Sequence, residues 1–139
     1  MRDAIAIDFD GCLCVNAYPS IGAPNWAVIA KAKERQAAGA GLILWTCREG
    51  LLLQAAVQAC QEWGLIFDAI NESLPDWIEA FGNRPRKVGA TEYWDDRAVR
   101  VPENDWRTSS CRKFLSQQFK ASAKTVFCTS AHEMKELIK

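Results

Sequence analysis

Histidine is nearly missing from this chain: His132 is the one among 139 residues. It stands in Ser130-Ala131-His132-Glu133, where a terminal helix is expected to begin, and reads as a helix-surface residue rather than as the base of a Ser-His-Asp or Cys-His relay. Net charge is missing as well. Lys and Arg together number 17, as do Asp and Glu, so the chain as a whole shows neither a nucleic-acid nor a membrane footprint. The asymmetry along it is mild, with 10 basic and 13 acidic groups in residues 1–102 against 7 and 4 in 103–139. No apolar run approaches a membrane span, and the apolar segment after Met1-Arg2-Asp3 is too short for a signal peptide. A cytoplasmic protein is expected.

The cysteines lack a framework. Of Cys12, Cys14, Cys47, Cys60, Cys111 and Cys128, only the Cys12-x-Cys14 pair is closely spaced, and no second pair or histidine cluster completes a zinc tetrad. They read as thiols of a reducing compartment. Neither GxGxxG nor GxxxxGK[ST] occurs, so no dinucleotide fold or P-loop is signalled. Gly39-Ala40-Gly41 precedes a strand, where a phosphate-cradling loop would follow one, and reads as a helix stop.

What is present is the make-up of one folded domain over residues 1–139, with 49% hydrophobic and 24% charged residues. Ala4 to Ile7 is a short apolar strand ending at Asp8. Residues 11–23 form a loop, and a helix is expected from Pro24 to about Ala38 with Trp26, Ile29 and Ala30 on one face. Leu42 to Trp45 is a second strand, ending at Thr46. A helix over 49–63, a strand over 65–70 and a short helix over 73–80 follow. Val88 to Trp94 is a fourth strand, ending at Asp95-Asp96. A helix over 110–121, a strand over 125–128 and a closing helix over 131–139 complete the reading. Strands and helices in alternation predict βαβ units, hence an α/β fold with a parallel sheet flanked by helices. Ligands of such sheets bind beyond the carboxyl ends of the strands. Three of those ends deliver polar groups here.

Asp8 and Asp10 are two apart in Asp8-Phe9-Asp10-Gly11, so an extended backbone sends both carboxylates to one side. Side by side they repel unless a cation lies between them, and hard oxygen donors suit Mg²⁺. Asp95-Asp96 closes another strand and can share that ion. Strand alternation predicts that one of these two ligates directly and the other acts through water. The Thr46 hydroxyl can donate to a phosphate oxygen, and Lys87 can neutralise charge on a transferred phosphoryl group. Arg48, two after Thr46, is expected to reach the substrate or to cap the turn into the next helix.

Strand-Asp8-Phe9-Asp10-Gly11, Trp45-Thr46, Lys87 and Asp95-Asp96-Arg97 together resemble, in order and placement over residues 4–97, the four motifs of the haloacid dehalogenase-like (HAD) superfamily. The likeness is greatest to its small phosphatases and 5′(3′)-deoxyribonucleotidases, which share the Asp-Asp-Arg motif. The resemblance implies a Rossmann-like HAD fold and a Mg²⁺-dependent phosphomonoester hydrolase. It makes Asp8 the nucleophile that forms an aspartyl-phosphate. Asp10 becomes the general acid/base and offers its backbone carbonyl to the metal. Thr46 and Lys87 hold the phosphoryl group, and Asp95 and Asp96 complete the metal site. One departure is Cys12, where the family commonly has threonine. From Asp10 to Thr46 is 36 positions and from Thr46 to Lys87 is 41, which leaves no room for a full cap domain. The expected substrate is a phosphorylated small molecule or nucleotide. A nucleic-acid 3′-phosphate, tracked by Arg84, Arg86, Arg97 and Arg100, is the second reading, and a binding or assembly domain with little turnover is the third. The sequence sets no oligomeric state.

Overall fold

Strand β1, Ala4–Ile7, is buried along its whole length because helices cover both faces of the sheet it centres. The structure, a computed structural model, describes residues 1–101. The elements expected over 110–121, 125–128 and 131–139, and His132 with them, lie outside the described residues. β1 is followed by α1 (Trp26–Ala37), β2 (Gly41–Leu44), α2 (Gly50–Glu62), β3 (Ala69–Ile70), α3 (Pro75–Phe81) and β4 (Glu92–Trp94). All seven fall within one unit, Met1–Ala98. The sheet is parallel, in the order β3-β2-β1-β4. This is the expected Rossmann-like α/β fold.

Alternation along the strands divides the core in two. Ile5, Ile7, Leu42 and Leu44 meet Ile29 and Ala32 of α1 and Ala56 and Cys60 of α2. Ala4, Ala6 and Ile43 face the other way, onto Leu74, Val88 and the half-buried Trp77 of α3. The small side chains of Ala4 and Ala6 leave room there for the indole. Its Nε1–H donates to the Arg2 carbonyl at 2.9 Å.

Several expected boundaries shift. Pro24 stays outside α1 because it bridges to Cys14, and the helix starts at Trp26 after Asn25. Its apolar face is narrower than the spacing predicts. Ile29 and Ala32 are buried, whereas Trp26 in the first turn is 59% exposed and Ala30 faces outward. The third strand shrinks to two residues, since the Leu65 amide closes the end of α2 on the Cys60 carbonyl at 2.8 Å rather than joining the ladder. The fourth begins at Glu92. Before it, Val88 fills the α3 side of the core and the Gly89 amide donates to Ser73 Oγ at 2.8 Å.

Register positions the site. Ile7 pairs with Leu44 on one side and Trp94 on the other, so the next residues, Asp8, Trp45 and Asp95, come level at the carboxyl edge. The chain runs outward from β1 through β2 to β3 and then returns to β4 on the opposite flank, which makes the β1/β4 boundary the topological switch point.

Candidate active site

Beyond Ile7 the chain turns sharply. The amides of Cys12, Leu13 and Cys14 all donate to the Phe9 carbonyl, at 3.3, 3.0 and 3.3 Å. Gly11 takes φ +88°, a conformation glycine adopts at little cost. A Cβ at Gly11 would also stand 2.5 Å from Asp96 Oδ2, so the absent side chain is what lets Asp96 approach the end of β1.

Asp8, Asp95 and Asp96 converge there, with one carboxylate oxygen of each within 4.8 Å of the others. The Asp8 carboxyl is pushed up to about 6. Burial is the largest cause, opposed by the Phe9 backbone N–H and reinforced by the charges of Asp95, Asp96 and Asp10. The expectation that strand alternation separates Asp95 from Asp96 does not hold. Both lie past the last residue of β4, in a turn where the Arg97 amide donates to Asp95 Oδ1 at 2.8 Å, and alternation ends with the strand.

Cys12 is explained by its partner. Its Sγ donates to the Trp94 carbonyl at 3.6 Å, the carbonyl that also accepts the Asp8 amide at 2.9 Å. Burial first, and the charge of Asp8 next, push this thiol up to about 12, which keeps it a packing group.

The Asp10 carboxylate does not join that of Asp8 as the two-residue spacing predicts. It is outside the three-acid cluster and is held by Arg48, whose Nε and Nη2 donate to Oδ2 and Oδ1 at 2.7 Å each. Arg48 is 1% exposed, and its fork is spent inside the protein. Nη1 donates to the Pro19 carbonyl at 3.0 Å and Nη2 to that of Ser20 at 2.7 Å. The guanidinium lies between the rings of Phe9 and Tyr18, at 5.0 and 5.2 Å. A substrate contact through Arg48 is therefore replaced by an internal lock that joins Asp10 to the loop over 15–24.

Thr46 sits where expected. Its Oγ1 accepts the Arg48 amide at 3.1 Å and its own amide donates to Asn71 Oδ1 at 2.8 Å, so the hydroxyl proton remains for a ligand. Lys87 does not join the group. It is exposed, with Nζ 5.5 Å from the centre of the Tyr93 ring. The cleft in front of Asp8, about 320 Å³, is lined by Asp10, Asn16, Tyr18, Thr46, Cys47, Asp95 and Arg97. Sequence reasoning had no signal for Cys47 or Asn16 in this role. For Arg97 a signal existed, its place next to the second acidic pair.

The three acids, a free hydroxyl proton and an open mouth can hold a hard cation and an oxyanion together. No family model matches the chain, and no curated protein does. Among solved structures, a conserved protein coded by a locus of Bacteroides thetaiotaomicron is similar at 32% identity with a TM-score of 0.63, over 93% of this chain and 100% of that one.

Proposed function

We propose that the chain is a HAD-like, Mg²⁺-dependent phosphatase that hydrolyses phosphomonoesters through an aspartyl-phosphate on Asp8. The observation that carries this reading is the convergence of Asp8, Asp95 and Asp96 at the switch point, beside a threonine hydroxyl and open to solvent. Three hard carboxylate donors, with no ion pair to any of them among the described residues, fit a small divalent cation. When bound, Mg²⁺ would neutralise charge on the phosphate. Asp8, Asp95 and Asp96 would hold it.

The protein's own groups supply the rest. An Asp8 oxygen attacks phosphorus as the bond to the leaving oxygen breaks, and Asp10 gives that oxygen a proton. Asp10 then takes a proton from the water that cleaves the acyl phosphate. Arg48 donates to both Asp10 oxygens and fixes the side chain at the wall of the cleft. Thr46 donates to a phosphoryl oxygen, and Arg97 is the cation already lining the cleft. Lys87 takes its expected part only by leaving the ring of Tyr93. Of the arginines expected to track a nucleic-acid end, Arg97 lines the cleft whereas Arg84 and Arg86 do not, which supports a small phosphomonoester over an extended strand. Among the described residues no helix is long and apolar enough to cross a membrane. The free thiols of Cys12, Cys14, Cys47 and Cys60 suit a reducing cytoplasm, where we place the activity.

The test is phosphate release from sugar phosphates, nucleotides and 3′-phosphorylated oligonucleotides, with Mg²⁺ or with EDTA, by the full chain and by Asp8→Asn. Release is expected from small phosphomonoesters, with Mg²⁺ only, and none from Asp8→Asn. Release from oligonucleotides alone would turn the reading to a nucleic-acid phosphatase. Silence from the folded protein would turn it to a binding or assembly domain.

A further inference from the structure

The loop over 15–24 is held as a fixed wall of the cleft. The Val15 amide donates to the Ala23 carbonyl at 2.9 Å, and Arg48 grips the Pro19 and Ser20 carbonyls from beneath. Tyr18 is thereby held without being covered. Its ring rests on the Arg48 guanidinium at 5.2 Å, yet the residue is 60% exposed and lines the same cleft as Asp8. Two residues earlier, Asn16 accepts the Tyr18 amide on Oδ1 at 3.3 Å, which leaves its amide N–H groups for a ligand in the cleft it lines.

An exposed tyrosine backed by a buried cation is a preorganised stacking surface, since ordering its side chain costs little at the moment of binding. The phosphoryl chemistry proposed above needs only Asp8, Asp10, Thr46, the acids of the β4 turn and Arg97. Tyr18 and Asn16 are outside that set yet line the same cleft, on the loop over 15–24, and are left to meet the rest of the substrate. The cleft, at about 320 Å³, is at the small end of ligand pockets.

We propose that Tyr18 and Asn16 form the leaving-group subsite, and that the substrate is a small phosphomonoester whose leaving group carries a planar ring. The ring stacks on the open part of Tyr18, and Asn16 donates to a polar atom at its edge. A nucleoside and a simple aryl alcohol share this chemistry. The inference rests on the phosphatase reading and narrows its substrate class.

The experiment compares kcat/KM for nucleoside monophosphates and phenyl phosphate with that for glycerol phosphate and glucose 6-phosphate, in the native chain, Tyr18→Phe and Tyr18→Ala. Native protein is expected to prefer the ring-bearing substrates by about tenfold or more, the scale of one aromatic stacking contact. The preference ratio should survive in Tyr18→Phe and collapse in Tyr18→Ala. Using a ratio cancels any general loss caused by disturbing Arg48. Nucleoside monophosphates ahead of phenyl phosphate would support the proposal with a nucleotide as the source, and the reverse order would support it with an aryl phosphate. Mg²⁺-dependent turnover without ring preference, or a ratio unchanged in Tyr18→Ala, overturns the subsite and leaves the phosphatase standing. Turnover of no phosphate overturns both.

Discussion

Arg48 shows how one side chain can be misassigned by position alone. It follows Thr46 by two residues at the carboxyl edge of the sheet, where a cation would be expected to meet an anionic substrate. Its fork is instead shared between Asp10 and two loop carbonyls, and it is buried to 1% exposure. Removing Arg48 leaves the half-buried Asp10 carboxylate and two loop carbonyls without their buried donor. Arg48→Met is therefore expected to cost about 2 kcal/mol, on the scale of a lost charge-assisted hydrogen-bond set. Urea unfolding checks it, with a lower midpoint and an unchanged m-value as the outcome. Arg48→Lys should recover only part of the loss, because an ammonium cannot reproduce a bidentate fork or sit flat between two rings.

At the scale of elements, the turn after β1 and the turn after β4 meet through a missing side chain. Gly11 has a left-handed φ of +88° and faces Asp96 Oδ2, which a Cβ would approach to 2.5 Å. Gly11→Ala should strain the turn and also push Asp96 away from Asp8 and Asp95. We expect Mg²⁺ affinity, measured by calorimetry, to fall by roughly tenfold or more, as when the surroundings of a ligand are disturbed. Gly39→Ala separates the two effects. Its φ is +102° with nothing within 4 Å of the added atom, so it should lower stability while leaving Mg²⁺ affinity as it was. A second link, farther from the cleft, joins α1 to β4. Arg35 Nη1 donates to Glu92 Oε1 at 2.6 Å while Trp94 Nε1 donates to Oε2 at 2.8 Å, and both bonds hold the Glu92 carboxyl below its ordinary range. That tie bridges the helix to the strand preceding Asp95 through side chains.

For the molecule as a whole, the acid crevice makes stability depend on pH. The fold pushes the Asp8 carboxyl up to about 6, whereas in an unfolded chain an aspartate ionises near pH 4, about 3.9. The stability this group confers is therefore full below pH about 4, falls as pH rises through about 6, and is gone above it. In metal-free protein, Asp8→Asn should raise Tm at pH 7.5 by about 4 °C or more, the response of a domain this size to ~1 kcal/mol. At pH 4 the difference should nearly vanish. Scanning calorimetry in EDTA checks both arms. Added Mg²⁺ should stabilise the native chain more than the variant, because ligand binding to the folded state alone raises its stability. An equal gain would remove Asp8 from the proposed metal site.

Local chemistry made much of this protein legible in its sequence. Short apolar runs ending in Asp8, Thr46 and Asp95 identified three strands and the edge where their polar ends gather, because strand periodicity and parallel α/β topology leave few alternatives. The β-type run at 65–70 and the helical pairing of Trp26 with Ala30 misled, since a buried apolar residue can serve a helix end as well as a ladder and a first-turn indole need not be covered. Which carboxylates come together was beyond reach. Asp95 and Asp96 converge on Asp8 because the strand stops before them, whereas Asp10, on the same two-residue period as Asp8, is drawn off by Arg48. Lys87 likewise sits over Tyr93 rather than in the cleft. These outcomes depend on where backbones distant in sequence come to lie, on the space a missing Cβ leaves beside Asp96, and on which half-buried carboxylate an arginine reaches. Such distances exist only once the sheet has formed.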